Sequence, residues 1–92
     1  MYLEIVTPEA TLFKGEVTSV AVPGVNGEFE MLNNHAPIVS LLKEGHVKLH
    51  GDNIEFEEEV EDKFTKEDRG YWLPINSGTI ELKDNKIIVL AD

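Results

Sequence analysis

The feature with the greatest hold on the fold is a series of short apolar segments whose side chains alternate with a period of two, each closed by Gly, Asn, Asp or Pro. Such alternation lines every second side chain along one face, which is the pattern of half-buried strands in a sandwich or barrel. Leu3 and Ile5 share a face of the first segment, which Thr7-Pro8 ends because proline has no N–H to give to a ladder. Leu12 and Phe13 make a short second strand. In "EVTSVAVPG" Thr18, Val20 and Val22 face one way and Val17, Ser19 and Ala21 the other, so both faces are expected to be covered. Glu28 and Glu30 alternate with Phe29 and Met31, residues 38–42 resume after "LNNHAP", and Val47 and Leu49 point inward with His46, Lys48 and His50 outward. "TIELKDNKIIVL" reads as a hairpin around the two-residue turn Asp84-Asn85. The expected fold class is all-β: a small β-sandwich or flattened barrel of about eight to ten short, mostly antiparallel strands. The 92 residues are enough for one such domain and too few for a second core.

Residues 52–69, "DNIEFEEEVEDKFTKEDR", break the pattern and hold nine of the eighteen acidic side chains. Ile54 and Phe56 alternate like a strand, whereas Phe56, Val60 and Phe64 recur every four residues like a helical stripe. The expectation is a strand-like start followed by a short surface helix, with an extended hairpin as the other choice.

The formal charge of -10 argues against nucleic acid, because such a surface repels phosphates and anionic headgroups alike. A basic protein surface is the better expected partner. The chain has no cysteine, which rules out disulfides, CxxC redox chemistry and thiolate metal sites and fits a reducing compartment. Glu4 interrupts the first apolar run and no basic leader precedes it, so neither a signal peptide nor a membrane span is expected there.

Residues that could carry chemistry read more simply as structure. His35 has no Ser or Cys nucleophile in a recognisable motif beside it. Asn33-Asn34 tolerate left-handed turns and Ala36-Pro37 forces an extended exit, which makes His35 part of a stiff corner. His46 and His50 lack a metalloprotease glutamate, and their alternation with Val47 and Leu49 says strand. Glu57, Glu58 and Glu59 lack the turn glycine and spaced ligands of a calcium loop, and Gly24 and Gly27 open a projecting "PGVNGE" loop and not a phosphate loop. No catalytic, cofactor or metal residue is expected.

Four ordered motifs carry a resemblance: "LFKGEV" at 12–17, "VPGVNGEFEMLNNHAPIVSLLKEG" at 22–45, "NSGTIEL" at 76–82 and "IIVLAD" at 87–92. Together they closely resemble the amino-terminal β-sandwich domain of the epsilon subunit of bacterial F-type ATP synthases. The likeness covers nearly the whole chain outside about residues 51–70, the acidic segment standing where the family has a short hairpin. Departures are local: Asn33-Asn34-His35-Ala36-Pro37 replaces the family's Pro-Gly-His-Ala-Pro, Glu30 replaces a glycine, and Asn76-Ser77-Gly78 replaces Ser-Gly-Gly. The family's two carboxy-terminal helices, which inhibit hydrolysis and in some members bind ATP, have no counterpart before Asp92. Either a naturally short subunit or a shortened chain is expected.

The resemblance implies a non-catalytic rotor part at the foot of the central stalk, on the cytoplasmic face of the bacterial inner membrane and peripheral to it. Its implied partners are the gamma subunit and the ring of c subunits, with no cofactor and no ATP binding. The family's loop glutamate matches Glu28, which with Asn26, Gly27 and Phe29 would meet the ring, whose facing loop typically carries an arginine. The positions matching gamma contacts are His35, Ser40, Ser77 and Glu81. Two other function classes stay open on the residues alone: a stand-alone β-sandwich interaction module, and a small hydrolase using His35 and a carboxylate.

Overall fold

Ten strands form in the computed structural model, which describes residues 1–92. They are β1 (Tyr2–Val6), β2 (Thr11–Glu16), β3 (Ser19–Gly24), β4 (Gly27–Leu32), β5 (Ile38–Leu42), β6 (Gly45–His50), β7 (Thr65–Glu67), β8 (Gly70–Ile75), β9 (Gly78–Lys83) and β10 (Lys86–Ala91). The all-β expectation therefore holds. Hydrogen bonding joins them in one curled path, β2-β1-β10-β9-β5-β3-β6-β8-β7, with β4 on the other side of β3. Every pairing is antiparallel except β1 with β10.

The path folds at β3. One edge of this strand pairs with β4 along its whole length, from Ser19 opposite Leu32 to Gly24 opposite Gly27. The other edge divides: Ser19, Val20 and Ala21 pair with β6, and Gly24 alone pairs with Leu42 of β5. Pro23 lies where the strand changes partner, a place that asks for no N–H, and its carbonyl accepts from the Lys43 N–H at 2.9 Å. Two leaves result, β2-β1-β10-β9-β5 and β4-β3-β6-β8-β7. Leu3, Ile5, Ile80, Leu82, Ile87 and Val89 of the first leaf share one core with Val20, Val22, Met31, Val47, Leu49, Leu73 and Ile75 of the second. Burial of each such side chain stabilises by about 1.5–3 kcal/mol before entropy is counted.

The turns behave as their residues require. Asp84 and Asn85 both take positive φ, 53° and 61°, between Lys83 and Lys86, as a twisted two-residue hairpin needs. At the corner Asn34 has φ 65°, doing what a glycine would do. The two turns are also tied together: Asn85 Oδ1 accepts the Asn34 N–H at 2.8 Å, and Asn85 Nδ2 donates to Asn33 Oδ1 at 2.8 Å.

The acidic segment needs a correction. Ile54 and Phe56 join no ladder, and the expected surface helix is only a three-residue 3-10 turn, Glu61–Lys63. The spacing of Phe56, Val60 and Phe64 resembles a helix because one closely wound stretch must deliver three apolar side chains to the same place. Val60 and Phe64 are buried, and Phe56 stacks on Phe64 at 4.1 Å, edge-on to Tyr71 at 4.9 Å and beside Phe13 at 5.6 Å. The segment fills the opening between β2 and β8 with aromatic rings and turns its carboxylates outward. Its tail, β7, pairs with β8 as a short hairpin, which fits the second expectation in part.

Candidate functional site

The β3–β4 loop turns at Val25 and Asn26, both exposed, and Gly27 has φ 125°, a backbone that side-chain-bearing residues rarely adopt. Gly24 is required for its missing side chain: a Cβ there would come within 2.7 Å of the Phe29 ring and 2.9 Å of the Gly27 carbonyl oxygen. Phe29 itself is half-buried against the core, so it anchors the loop.

Glu28 is not a free loop carboxylate. Its Oε1 lies 2.9 Å from Lys48 Nζ, with the two side chains 50% and 23% exposed. Register explains the reach: Ala21 stands between Glu30 on β4 and Lys48 on β6, and its small side chain lets the lysine cross β3 toward β4. The Lys48 ammonium also sits 4.3 Å from the centre of the Trp72 ring, and His46 packs 5.4 Å from the same ring. Nearby, Ser19 Oγ and His50 Nδ1 are 3.1 Å apart. Around Lys48 and Trp72 the outer face of the second leaf thus occupies its own polar groups, while Glu30 and Leu32 on β4 stand exposed.

The four residues matched to gamma do not form one cluster. Glu81 is exposed on the outer face of the first leaf, between Val39 on β5 and Ile88 on β10. His35 lies at the corner before β5 with Nδ1 donating to the Ala36 carbonyl at 2.7 Å, whereas Ser77 lies just before β9 and donates to Asp92 Oδ2. These mark opposite ends of the β5–β9 pair, because Ile38 lies opposite Leu82 and Leu42 opposite Gly78. Ser40 is on the other side of β5, half-buried, lining a shallow hollow of about 290 Å³ with residues 24–29 of the loop.

Residues not singled out by sequence complete this face. Val39 and Leu41 are 75% and 63% exposed, and Leu90 on β10 is 51% exposed. Val39 lies opposite Glu81, and Leu41 and Leu90 both lie opposite Thr79, so β5, β9 and β10 present one apolar strip with a single carboxylate in it. The signal was the Ser40 in "IVSLL", which sends Val39 and Leu41 to one side and Ile38, Ser40 and Leu42 to the other. Elsewhere, no three His, Cys, Asp or Glu side chains converge to hold a metal ion, and no helix is long and apolar enough to cross a membrane.

Comparison with known proteins gives the chain its relatives. The family model of the ATP synthase delta/epsilon chain β-sandwich domain matches residues 1–92. The ATP synthase epsilon chain of Campylobacter concisus is 39% identical over 100% of this chain and 60% of its own length. That of Chlorobium limicola is 38% identical over 98% of this chain and 86% of its own. The chain thus spans less than two thirds of the Campylobacter relative and most of the Chlorobium one. A chain from the cryo-EM structure of the Tetrahymena thermophila mitochondrial ATP synthase central stalk and c-ring superposes with a TM-score of 0.74 over 99% of this chain and 62% of that one; at 13% identity the likeness is one of fold. On the full-length family match and the Chlorobium relative, this chain belongs to the family of ATP synthase delta/epsilon chain β-sandwich domains.

Proposed function

We propose that the chain is a non-catalytic central-stalk subunit of an F-type ATP synthase, one domain that holds the gamma subunit on the ring of c subunits and so keeps proton translocation coupled to ATP synthesis. The observation that carries this reading is the apolar strip of Val39, Leu41 and Leu90 on the outer face of β5, β9 and β10. A strip of exposed branched aliphatic side chains on a sheet is a surface that gains by being covered. Gamma is its occupant in this reading, with Glu81 inside the strip and His35 and Ser77 at its two ends. Ser40 lies on the other side of β5 from the strip, half-buried beneath the loop.

The β3–β4 loop, carrying Asn26, Gly27 and Glu28 and anchored by Phe29, meets the polar loops of the ring. The two contacts lie on different parts of one hydrogen-bonded sheet, and torque applied at one is passed to the other through backbone ladders and the paired asparagine turns. Stiffness is the useful property, and neither ATP nor any other cofactor is needed for it. The subunit sits at the cytoplasmic face of the bacterial inner membrane, peripheral and held through the complex alone.

Isothermal titration of the chain against gamma, with a phosphate-release assay on the chain alone, tests the proposal. One-to-one binding without turnover is expected. Absence of binding heat at low and at moderate salt overturns it.

A further inference from the structure

We infer that Lys48 is a positioning residue for Glu28: it fixes the carboxylate beside the loop so that a cationic side chain of the ring meets it ready oriented. The inference rests on the reading above that the β3–β4 loop meets the ring, and it adds residues that neither the sequence motifs nor the family likeness point to.

Three observations support it. Lys48 Nζ holds Oε1 of Glu28 at 2.9 Å, and a carboxylate with two oxygens and about four lone-pair sites keeps Oε2 for a second donor. The lysine is itself held: its ammonium lies 4.3 Å from the Trp72 ring centre, and its side chain is only 23% exposed although it belongs to a residue type that ordinarily stands in water. His46 packs against that same ring at 5.4 Å, which steadies the platform under the lysine. Glu28 is therefore biased toward the rotamer that Lys48 holds, where a free exposed glutamate would start from many, and part of the ordering cost that binding usually imposes on a long side chain has been met during folding. The opposing effect, that a lysine beside Glu28 repels the incoming cation, is weakened because Glu28 is half-exposed and water screens the pair.

The chain supplies its own probe, because Trp72 is its only tryptophan. The experiment measures the affinity of the chain–gamma complex for the detergent-solubilised c-ring of the same enzyme, together with Trp72 emission, for the natural chain and for Glu28→Gln, Lys48→Met, Lys48→Arg and the double variant Glu28→Gln/Lys48→Met. Lys48→Met is expected to weaken ring binding about fivefold, the cost of ordering one side chain, and Lys48→Arg to bring it back to within about twofold. Trp72 emission of the free chain shifts in both Glu28→Gln and Lys48→Met, because the first change frees the ammonium from its present place and the second removes it. Since Lys48 acts through Glu28, the double variant binds the ring as weakly as Glu28→Gln alone.

Unchanged or tighter binding by Lys48→Met, while Glu28→Gln still weakens it, overturns the positioning role and leaves the loop contact standing. Additive losses in the double variant overturn it as well, since they make Lys48 a support of the sheet independent of Glu28. Full ring affinity in Glu28→Gln removes the loop contact itself, and the positioning role with it.

Discussion

The two leaves turn outward faces of different character to solvent. On the outer face of the second leaf most groups are matched, Glu28 with Lys48, Lys48 with Trp72, His46 against the same ring, and Ser19 with His50, and a single aliphatic side chain, Leu32, stands 58% exposed at its edge. The outer face of the first leaf leaves Val39, Leu41 and Leu90 more than half exposed around one glutamate. Both faces are built from the same alternating strands, so the difference lies in which side chains register brings together. A face of matched polar groups gains little apolar burial from gamma, which leaves it only the polar contact of Glu28 with the ring. A face of exposed aliphatics gains the full transfer of that surface from water, and this is why the account gives gamma to the first leaf.

The largest effect is expected at β5. Val39→Asp with Leu41→Asp places two charges in the strip, and gamma affinity should fall on the order of a hundredfold, the scale of losing central interface anchors. Both side chains are exposed, so the melting temperature of the isolated chain should hardly move. Calorimetry against gamma and a thermal melt check the two halves of this statement; a large drop in melting temperature would mean that these side chains support the fold.

Phe56→Ala sharpens the comparison by loosening the molecule away from both faces. Phe56 contacts Phe13, Phe64 and Tyr71 but is only half-buried, so a loss of about 2 kcal/mol is expected, toward the low end for large-to-small core changes. Urea unfolding reads it, and gamma affinity should stay as it was. Replacing residues 53–68 by a short turn should cost more, because Val60 and Phe64 are then lost from the core as well.

Glu28→Lys should cost the isolated chain no more than about 1 kcal/mol, the scale of an exposed ion pair. Assembly onto the ring should weaken about tenfold, since a like charge then faces the partner and a second lysine crowds Lys48. Proton-pumping ratio in reconstituted membranes is the readout, and an unchanged ratio would make Glu28 a partner of Lys48 alone. The smallest effect belongs to His46→Asp, on the face that has satisfied itself, where gamma affinity should change less than about twofold.

Much of this architecture was legible in the sequence because the deciding interactions are local. Alternation set the faces of β1, β6 and β9, and the Asp84-Asn85 turn set the β9–β10 hairpin with both residues at positive φ as that turn demands. The stiff corner could be read from Asn34, a residue tolerant of the left-handed conformation it adopts. What could not be read depends on partners far apart in the chain. The parallel pairing of β1 with β10 joins the two ends of the sequence, and Glu28 meets Lys48 only across β3, where Pro23 stands opposite Glu28 and Ala21 opposite Lys48. Val39 and Leu41 were hidden for another reason: an apolar run such as "IVSLL" shows two faces but not which of them the rest of the chain covers. The acidic segment misled through its spacing, since Phe56, Val60 and Phe64 reach one core, Phe56 against Phe13, Phe64 and Tyr71, by a tight irregular winding whose one regular piece is a three-residue 3-10 turn.

Hydroxyl-radical footprinting of the chain with and without gamma tests the central claim most directly, because it reads side chains on both outer faces in one sample. Oxidation of Leu41 and Leu90 is expected to fall on binding while that of Trp72 and His46 stays unchanged. Protection of Trp72 and His46 with Leu41 and Leu90 still fully reactive would contradict it, and would place gamma on the face that here satisfies itself.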